Sequence, residues 1–223
     1  MSDETTVVMM VRHHQPWQRH LTIATVALLR ETTELPFTLA IGECISRDCE
    51  ALADVYVHFP EPLGIIQEAN QLHQRVATDR LVATGNDVFV RPGWLEALHE
   101  CFEIPDCGLA YLAGSELGHV PEAKIVEGIY HPLVMTAAGW YYDEEFTGHF
   151  ADSDLIMRVY ESGKRAYRNH RVVVDHLRSA TDRTLCTPDE RSEQHARGLE
   201  LFKQKHGKSK LLVYRALSEG MIL

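Results

Sequence analysis

The residues able to do chemistry in this 223-residue chain gather in a few short stretches. Residues 142–154 hold five carboxylates (Asp143, Glu144, Glu145, Asp152 and Asp154) interleaved with Tyr142, Phe146 and Phe150. Acids held against aromatic surface have shifted pKa values and suit proton transfer or metal binding. Asp152 and Asp154 stand two apart at the start of a helical pattern. Their repulsion raises one pKa and favours base chemistry; the same spacing also suits Asp152 as a helix N-cap with Asp154 solvated. Gly85-Asn86-Asp87-Val88 directly follows a predicted strand. Asp87 there either shares a hard cation, magnesium or manganese, with substrate phosphates or belongs to an ordinary turn. Asp175-His176 ends a strand of valines, where His176 is a metal ligand or a hydrogen-bonded, partly buried imidazole. His13 and His14, adjacent on an extended chain, point opposite ways and are poorly placed to share an ion. Trp140, Tyr141 and Tyr142 offer core packing or a platform for a sugar or base.

These groups need a scaffold, and the hydrophobic periodicity supplies one. Strands are predicted over residues 6–11, 37–41, 55–59, 81–84, 109–112 and 171–174. Helices are predicted over 17–30, 48–53, 64–77, 92–102 (opened by Pro92), 152–162 and 189–205. Residues 114–138 carry mixed signals. Short apolar strands alternating with helices describe a mostly parallel sheet covered on both faces. Ligands of such sheets bind beyond the carboxyl ends of the strands, which here are residues 12–15, 42–43 and 85–87.

Composition sets bounds. With 45% hydrophobic residues the chain buries a full core, as one domain. The net charge of −10 argues against a general nucleic-acid binder. The charge is uneven, because residues 158–215 carry 14 Lys and Arg against 7 Asp and Glu. That segment either places cations near an anionic substrate or is a basic solvated helix. Five cysteines without a Cys-x-x-Cys point to reduced thiols. No apolar run is long enough for a bilayer, and Asp3 and Glu4 are unlike a signal peptide, so a soluble cytoplasmic protein is expected.

Taken in order, these pieces resemble the GT-A glycosyltransferases of the family 2 type. The first strand with Pro16 and its helix is similar to that family's opening strand and helix. Gly64 and Asn70 match the glycine and asparagine of the helix before its metal motif. Gly85-Asn86-Asp87-Val88 and then Pro92-Gly93-Trp94-Leu95 are similar to its Asp-x-Asp-type motif and the Pro-Gly-Trp-Leu that often follows. Gly139, Tyr142-Asp143-Glu144 and Phe146 resemble its Gly-x-Phe-Asp-Glu-x-Phe segment. Asp152-Ser153-Asp154-Leu155, Arg158 and Gly163 resemble its Glu-Asp-x-Asp-Leu, Arg and Gly pattern, and the valine strand ending in His176 matches the strand whose histidine completes the metal site. The likeness spans residues 6–178. It departs at Gly85 and Ala151, where the family has acids, and at Gly42-Glu43, where it has an acid pair.

The resemblance implies a GT-A fold: α/β, Rossmann-like, a mostly parallel central sheet flanked by helices in a single domain. Residues 5–113 would form the nucleotide-sugar-binding half, 114–178 the acceptor and catalytic half, and 179–223 a helical extension. It implies a metal-dependent, inverting transfer of a sugar from a nucleotide-sugar donor. Asp87 and His176 would hold a divalent cation (manganese or magnesium); Glu43, Asn70, Asn86 and Asp87 would contact the donor. Asp152 would be the catalytic base, with Trp140, Asp143 and Asp154 on the acceptor side. The acceptor is a saccharide, a protein or a modified nucleic acid. Two alternatives stand beside this: a nucleotide-sugar-binding protein with little catalysis, and a metal-dependent hydrolase using His13 and His14.

Overall fold

Strand β1 (Thr5–Arg12) is apolar on both sides, a pattern that suits a central strand covered on both faces. The structure, a computed structural model, describes residues 4–13, 15–76, 78–116, 125–126, 133–177, 188–207 and 221–222. After β1 come α1 (Pro16–Glu31), β2 (Thr38–Cys44), a single 3-10 turn (Glu50–Leu52), β3 (Val55–Phe59) and α2 (Ile65–His73). Then follow β4 (Arg80–Gly85), β5 (Val88–Phe89), α3 (Trp94–Phe102), β6 (Cys107–Glu116), β7 (Ile125–Val126) and β8 (Leu133–Ala137). The chain continues through α4 (Ala151–Glu161), β9 (Arg165–His176), α5 (Pro188–His206) and β10 (Met221–Ile222).

One sheet runs β10-β9-β6-β8-β4-β1-β2-β3, with β5 added to β9 and β7 to β6. β3, β2, β1 and β4 are mutually parallel, as the alternation predicts. β8 lies antiparallel between β4 and β6. It comes from the stretch with mixed signals: five residues, Leu-Val-Met-Thr-Ala, are too few to show a period. β9 is far longer than the predicted valine run. Its polar residues 168–171 mask the pattern, and the pairing with β6 skips register at Leu112/Ala113, leaving His170 and Arg171 exposed. α3 opens at Trp94 rather than Pro92, because Gly93 takes φ +81° and turns the chain first.

The sheet's faces bury different helices. Val7, Met9 and Val11 of β1 pack with Val26 and Leu29 of α1 and with Trp94, Leu95 and Leu98 of α3. Val8, on the opposite side of β1, packs with Leu72 of α2. Along the same face Tyr111 and Val134 meet Ile66, Phe146, Leu155 and Phe202, from α2, the loop before α4, α4 and α5. Among the described residues no helix is long and apolar enough to cross a membrane. Cys44, Cys49, Cys101 and Cys107 are buried free thiols, as the odd count suggests; Cys186 lies outside the described residues.

Candidate active site

β4 ends at Gly85, and β5 turns back to pair with β9, setting Val88 opposite His176. This brings Asp87 Oδ1 to 3.0 Å from His176 Nε2, with the side chains 9% and 14% exposed. The Leu177 N–H donates to the Asp87 carbonyl at 3.0 Å, closing the turn. A Cβ on Gly85 would lie 2.7 Å from Asp87 Oδ1. The aspartate folds back over the glycine and fills the space where a side chain at 85 would begin. The 3.0 Å contact is that of an imidazole–carboxylate pair, and the same two atoms would hold a divalent cation such as manganese or magnesium if one bound there. Asn86, expected to contact the donor, also has a structural task. Its Nδ2 donates to Thr22 Oγ1 at 2.9 Å and its carbonyl accepts from Thr25 Oγ1 at 2.8 Å, hooking the turn onto α1.

Glu43, predicted to face the nucleoside, is fully buried. Its Oε1 accepts from Ser46 Oγ (2.5 Å) and the Asp48 N–H (3.0 Å), and its Oε2 from the Cys49 N–H (2.9 Å) and Tyr56 Oη (2.8 Å). Burial pushes its carboxyl up, but these four donors outweigh it and leave the pKa below the ordinary value. The ligand atoms of His13, Glu43 and Cys49 lie within 4.8 Å of one another, as a metal site requires. A carboxylate offers about four lone-pair sites, however, and all four are used. Burial and the Glu43 charge also push the Cys49 thiol up to about 12. His13 Nε2 meets Thr22 Oγ1 at 2.9 Å, and His14 lies outside the described residues. The cluster is a loop clamp, and Glu43 acts on a ligand only through the 44–49 loop it shapes. That loop includes Ile45, a β-branched residue at φ +81° and 55% exposed. Such strain concentrates at ligand-binding edges. A second clamp adjoins it: buried Glu68 binds Arg12 Nη2 (2.7 Å) and the N–H groups of Leu63 and Gly64 (3.0 and 3.3 Å).

The acidic–aromatic segment is gripped from several sides. Asn70, predicted to touch the donor, instead holds this segment: Nδ2 donates to the Tyr142 carbonyl (2.8 Å) and Glu144 Oε1 (3.1 Å), and Oδ1 accepts the Tyr142 N–H (3.0 Å). His73, one turn further along α2, lies 6.1 and 6.2 Å from the Tyr141 and Tyr142 rings and is buried, which lowers its pKa to about 4. Asp143 meets Lys205 Nζ at 2.5 Å, and Glu145 meets it at 2.9 Å. Asp154 cannot face an acceptor as expected. It is 1% exposed, bound by Arg158 Nε at 2.7 Å and His206 Nε2 at 2.8 Å. Arg158 Nη2 also donates to the Tyr141 carbonyl at 2.7 Å. Trp140 is partly buried against the α4 cluster.

α4 begins at Ala151, preceded by Phe150 at φ +70°. Ala151 is 1% exposed inside the apolar cluster with Leu155 and Phe202. A glutamate at this position would bring a charge into that cluster. Asp152 keeps a partly exposed place in the first turn, its Oδ1 accepting the Ser153 N–H at 2.8 Å. The phenol of half-buried Tyr142 senses it: desolvation first, then the Asp152 charge, push that pKa up.

The fold that positions these groups is the GT-A fold of glycosyltransferases. Similar solved structures include residues 1–349 of TarS from S. aureus, with TM-score 0.59, 8% identity, and 93% of this chain and 74% of that chain covered. The same protein in complex with UDP gives 0.60 at 7% identity, covering 94% and 75%. The mannosyltransferase PcManGT from Pyrobaculum calidifontis, in complex with GDP-Man and Mn2+, gives 0.61 at 13% identity, covering 96% and 73%. No family model matches the sequence. No curated protein matches it either.

Proposed function

We propose that this protein is a metal-dependent glycosyltransferase that moves a sugar from a nucleotide-sugar donor to an acceptor hydroxyl with inversion. The observation that carries the reading is the meeting of Asp87 and His176 at the carboxyl edge of a GT-A sheet, 3.0 Å apart. The structural neighbours crystallised with UDP and with GDP-Man and Mn2+ support it. Asp87 and His176 would hold manganese or magnesium, which when bound offsets charge on the leaving diphosphate. The 44–49 loop, fixed by Glu43, and the turn fixed by Asn86 shape the donor side. Trp140 and the 141–146 segment shape the acceptor side, and Asp152 takes the proton from the attacking hydroxyl. The acceptor can be a saccharide, a protein or a modified nucleic acid. The basic excess of the C-terminal part does not form a cationic helix, since α5 carries four Lys and Arg against four Asp and Glu.

The test is a thermal-shift screen of UDP- and GDP-sugars with and without Mn2+, followed by nucleoside diphosphate release from those that bind. A ligand of the folded state raises the melting temperature, and only with the metal if the reading holds. Asp152→Asn should lower release about 10²-fold or more while sparing binding, because base catalysis contributes that much. Near-wild-type release would remove Asp152 as base, and binding without any release by the wild type would favour a binding protein.

A further inference from the structure

Helix α5 touches the candidate catalytic segment at every turn of its second half. Near its middle, Gly198 lies so close to the loop before α4 that a Cβ there would stand 2.5 Å from the His149 carbonyl oxygen. The His195 ring packs edge-on against Phe150 at 5.1 Å, and Phe202 packs against the same ring at 5.8 Å. Phe150 is the residue held at φ +70°, immediately before Ala151 and Asp152. A non-glycine residue in that region persists only when its surroundings over-determine it, and α5 supplies those surroundings. At the end of the helix two successive residues diverge. Lys205 spans Asp143 and Glu145 and lies 5.8 Å from the centre of the Phe146 ring. His206 reaches Asp154, which passes the contact through Arg158 to the Tyr141 carbonyl.

The charges are arranged for this purpose. Burial pushes Asp143 up, but Lys205 and the Glu145 N–H outweigh it and hold it below the ordinary range. Lys205 is raised in turn, chiefly by Asp143. His206 is 6% exposed, with Asp154 on Nε2, Glu161 Oε1 3.6 Å from Nδ1, and the Phe202 ring beside it. Lys205 is thus a partly sheltered cation between two acids, and His206 an imidazole between two others. Neither is turned toward solvent as a free basic side chain.

We propose that α5 positions the acceptor side of the catalytic site, with Lys205 and His206 as positioning residues: Lys205 sets the 141–146 segment, and His206, through Asp154 and Arg158, sets Asp152 relative to it. This rests on the glycosyltransferase reading above. Neither residue touches a reacting atom. A displacement of about 1 Å in such a support costs up to ~10²-fold in rate, so loss of either contact lowers turnover while nucleotide binding, governed by the opposite side of the sheet's edge, stays.

The experiment uses the full chain carrying Lys205→Met, Lys205→Arg, His206→Ala or His206→Gln. Arginine keeps a cation for the two acids, and glutamine keeps an N–H donor for Asp154. Three readouts are taken: affinity for UDP and GDP with Mn2+, nucleoside diphosphate release from UDP-glucose or GDP-mannose, and amide hydrogen exchange. The expected result is about tenfold or greater loss of release in Lys205→Met and His206→Ala. Nucleotide affinity should stay within about twofold, exchange should quicken only over residues 141–154, and the Arg and Gln variants should recover most of the rate. Unchanged release in both disruptive variants overturns the proposal. So does a parallel fall of affinity, release and melting temperature, which marks a general loss of structure. If the wild type neither binds nor turns over any nucleotide sugar, the functional reading fails instead. Exchange over 141–154 then decides the positioning claim alone, and unchanged protection overturns it.

Discussion

Glu43 and the acids of the 140–154 segment stand near the same edge of the sheet, yet they are held in opposite ways. Glu43 binds partners 3, 5, 6 and 13 residues along the chain. Glu68 likewise binds N–H groups 5 and 4 residues away, and adds one distant partner, Arg12, 56 residues away. The 140–154 segment is fixed instead by Asn70, Lys205 and His206, across separations of 72, 62 and 52 residues. The 44–49 loop therefore folds around a buried carboxylate close by in sequence. The 140–154 segment is held only once α2, α4 and α5 have docked, because loop closure over such separations precedes any contact. The first can stay rigid while the second answers to distant side chains.

The comparison breaks most visibly at Glu43. Glu43→Ala leaves four donors without their acceptor in the interior and should cost about 3 kcal/mol or more, read as a lower urea midpoint. The folded pKa of Glu43 lies below its ordinary value. Its contribution is therefore full above about pH 4.3 and is lost as pH falls through the folded pKa. A midpoint equal to wild type at pH 7 would mean that the clamp is not what holds the 44–49 loop.

Asn70→Ala should cost less, about 1–3 kcal/mol, since Tyr142 and Glu144 keep partial access to water. Its sharper mark is local: faster amide exchange at 141–146 with the β1–β4 core unchanged. Uniformly faster exchange across the sheet would erase the distinction between the two edges.

His73 gives the smallest and most pH-specific effect. Its folded pKa is about 4 against an ordinary 6.5, so the unfolded chain binds more protons between those values. Stability should fall as pH drops through that window, by about 1.4 kcal/mol per pH unit at most, and His73→Leu should flatten the slope. A wild-type slope no steeper than that of His73→Leu would contradict the buried, neutral imidazole.

How legible this was in the sequence follows the same division. β1 to β4, α1 to α3 and the Asp87 turn announce themselves through local periodicity and turn residues. β8 is too short to show a period, and β9 is disguised by Arg168, Asn169, His170 and Arg171. Asp87 and His176 were legible as candidates because each ends a strand at the expected edge. Asn70 and Asp154 stand out in the sequence as site candidates, but they are buried and their hydrogen bonds go to the protein. Lys205 and His206 carry no sequence signal beyond a Lys-His pair at a helix end, since nothing local says what a helix end will meet. What surrounds Gly85 and Ala151 is visible only in the structure: Asp87 Oδ1 stands over Gly85, and Ala151 sits in an apolar cluster.

The central claim, that Asp87 and His176 bind a divalent cation with the diphosphate of a nucleotide-sugar donor, is tested most directly by calorimetry. UDP and GDP are titrated into wild type and His176→Ala with and without Mn2+. The account predicts that one of the nucleotides binds the wild type only with Mn2+, and that His176→Ala weakens this binding about tenfold or more while remaining folded. Metal-independent binding, or binding that His176→Ala leaves unchanged, would contradict it.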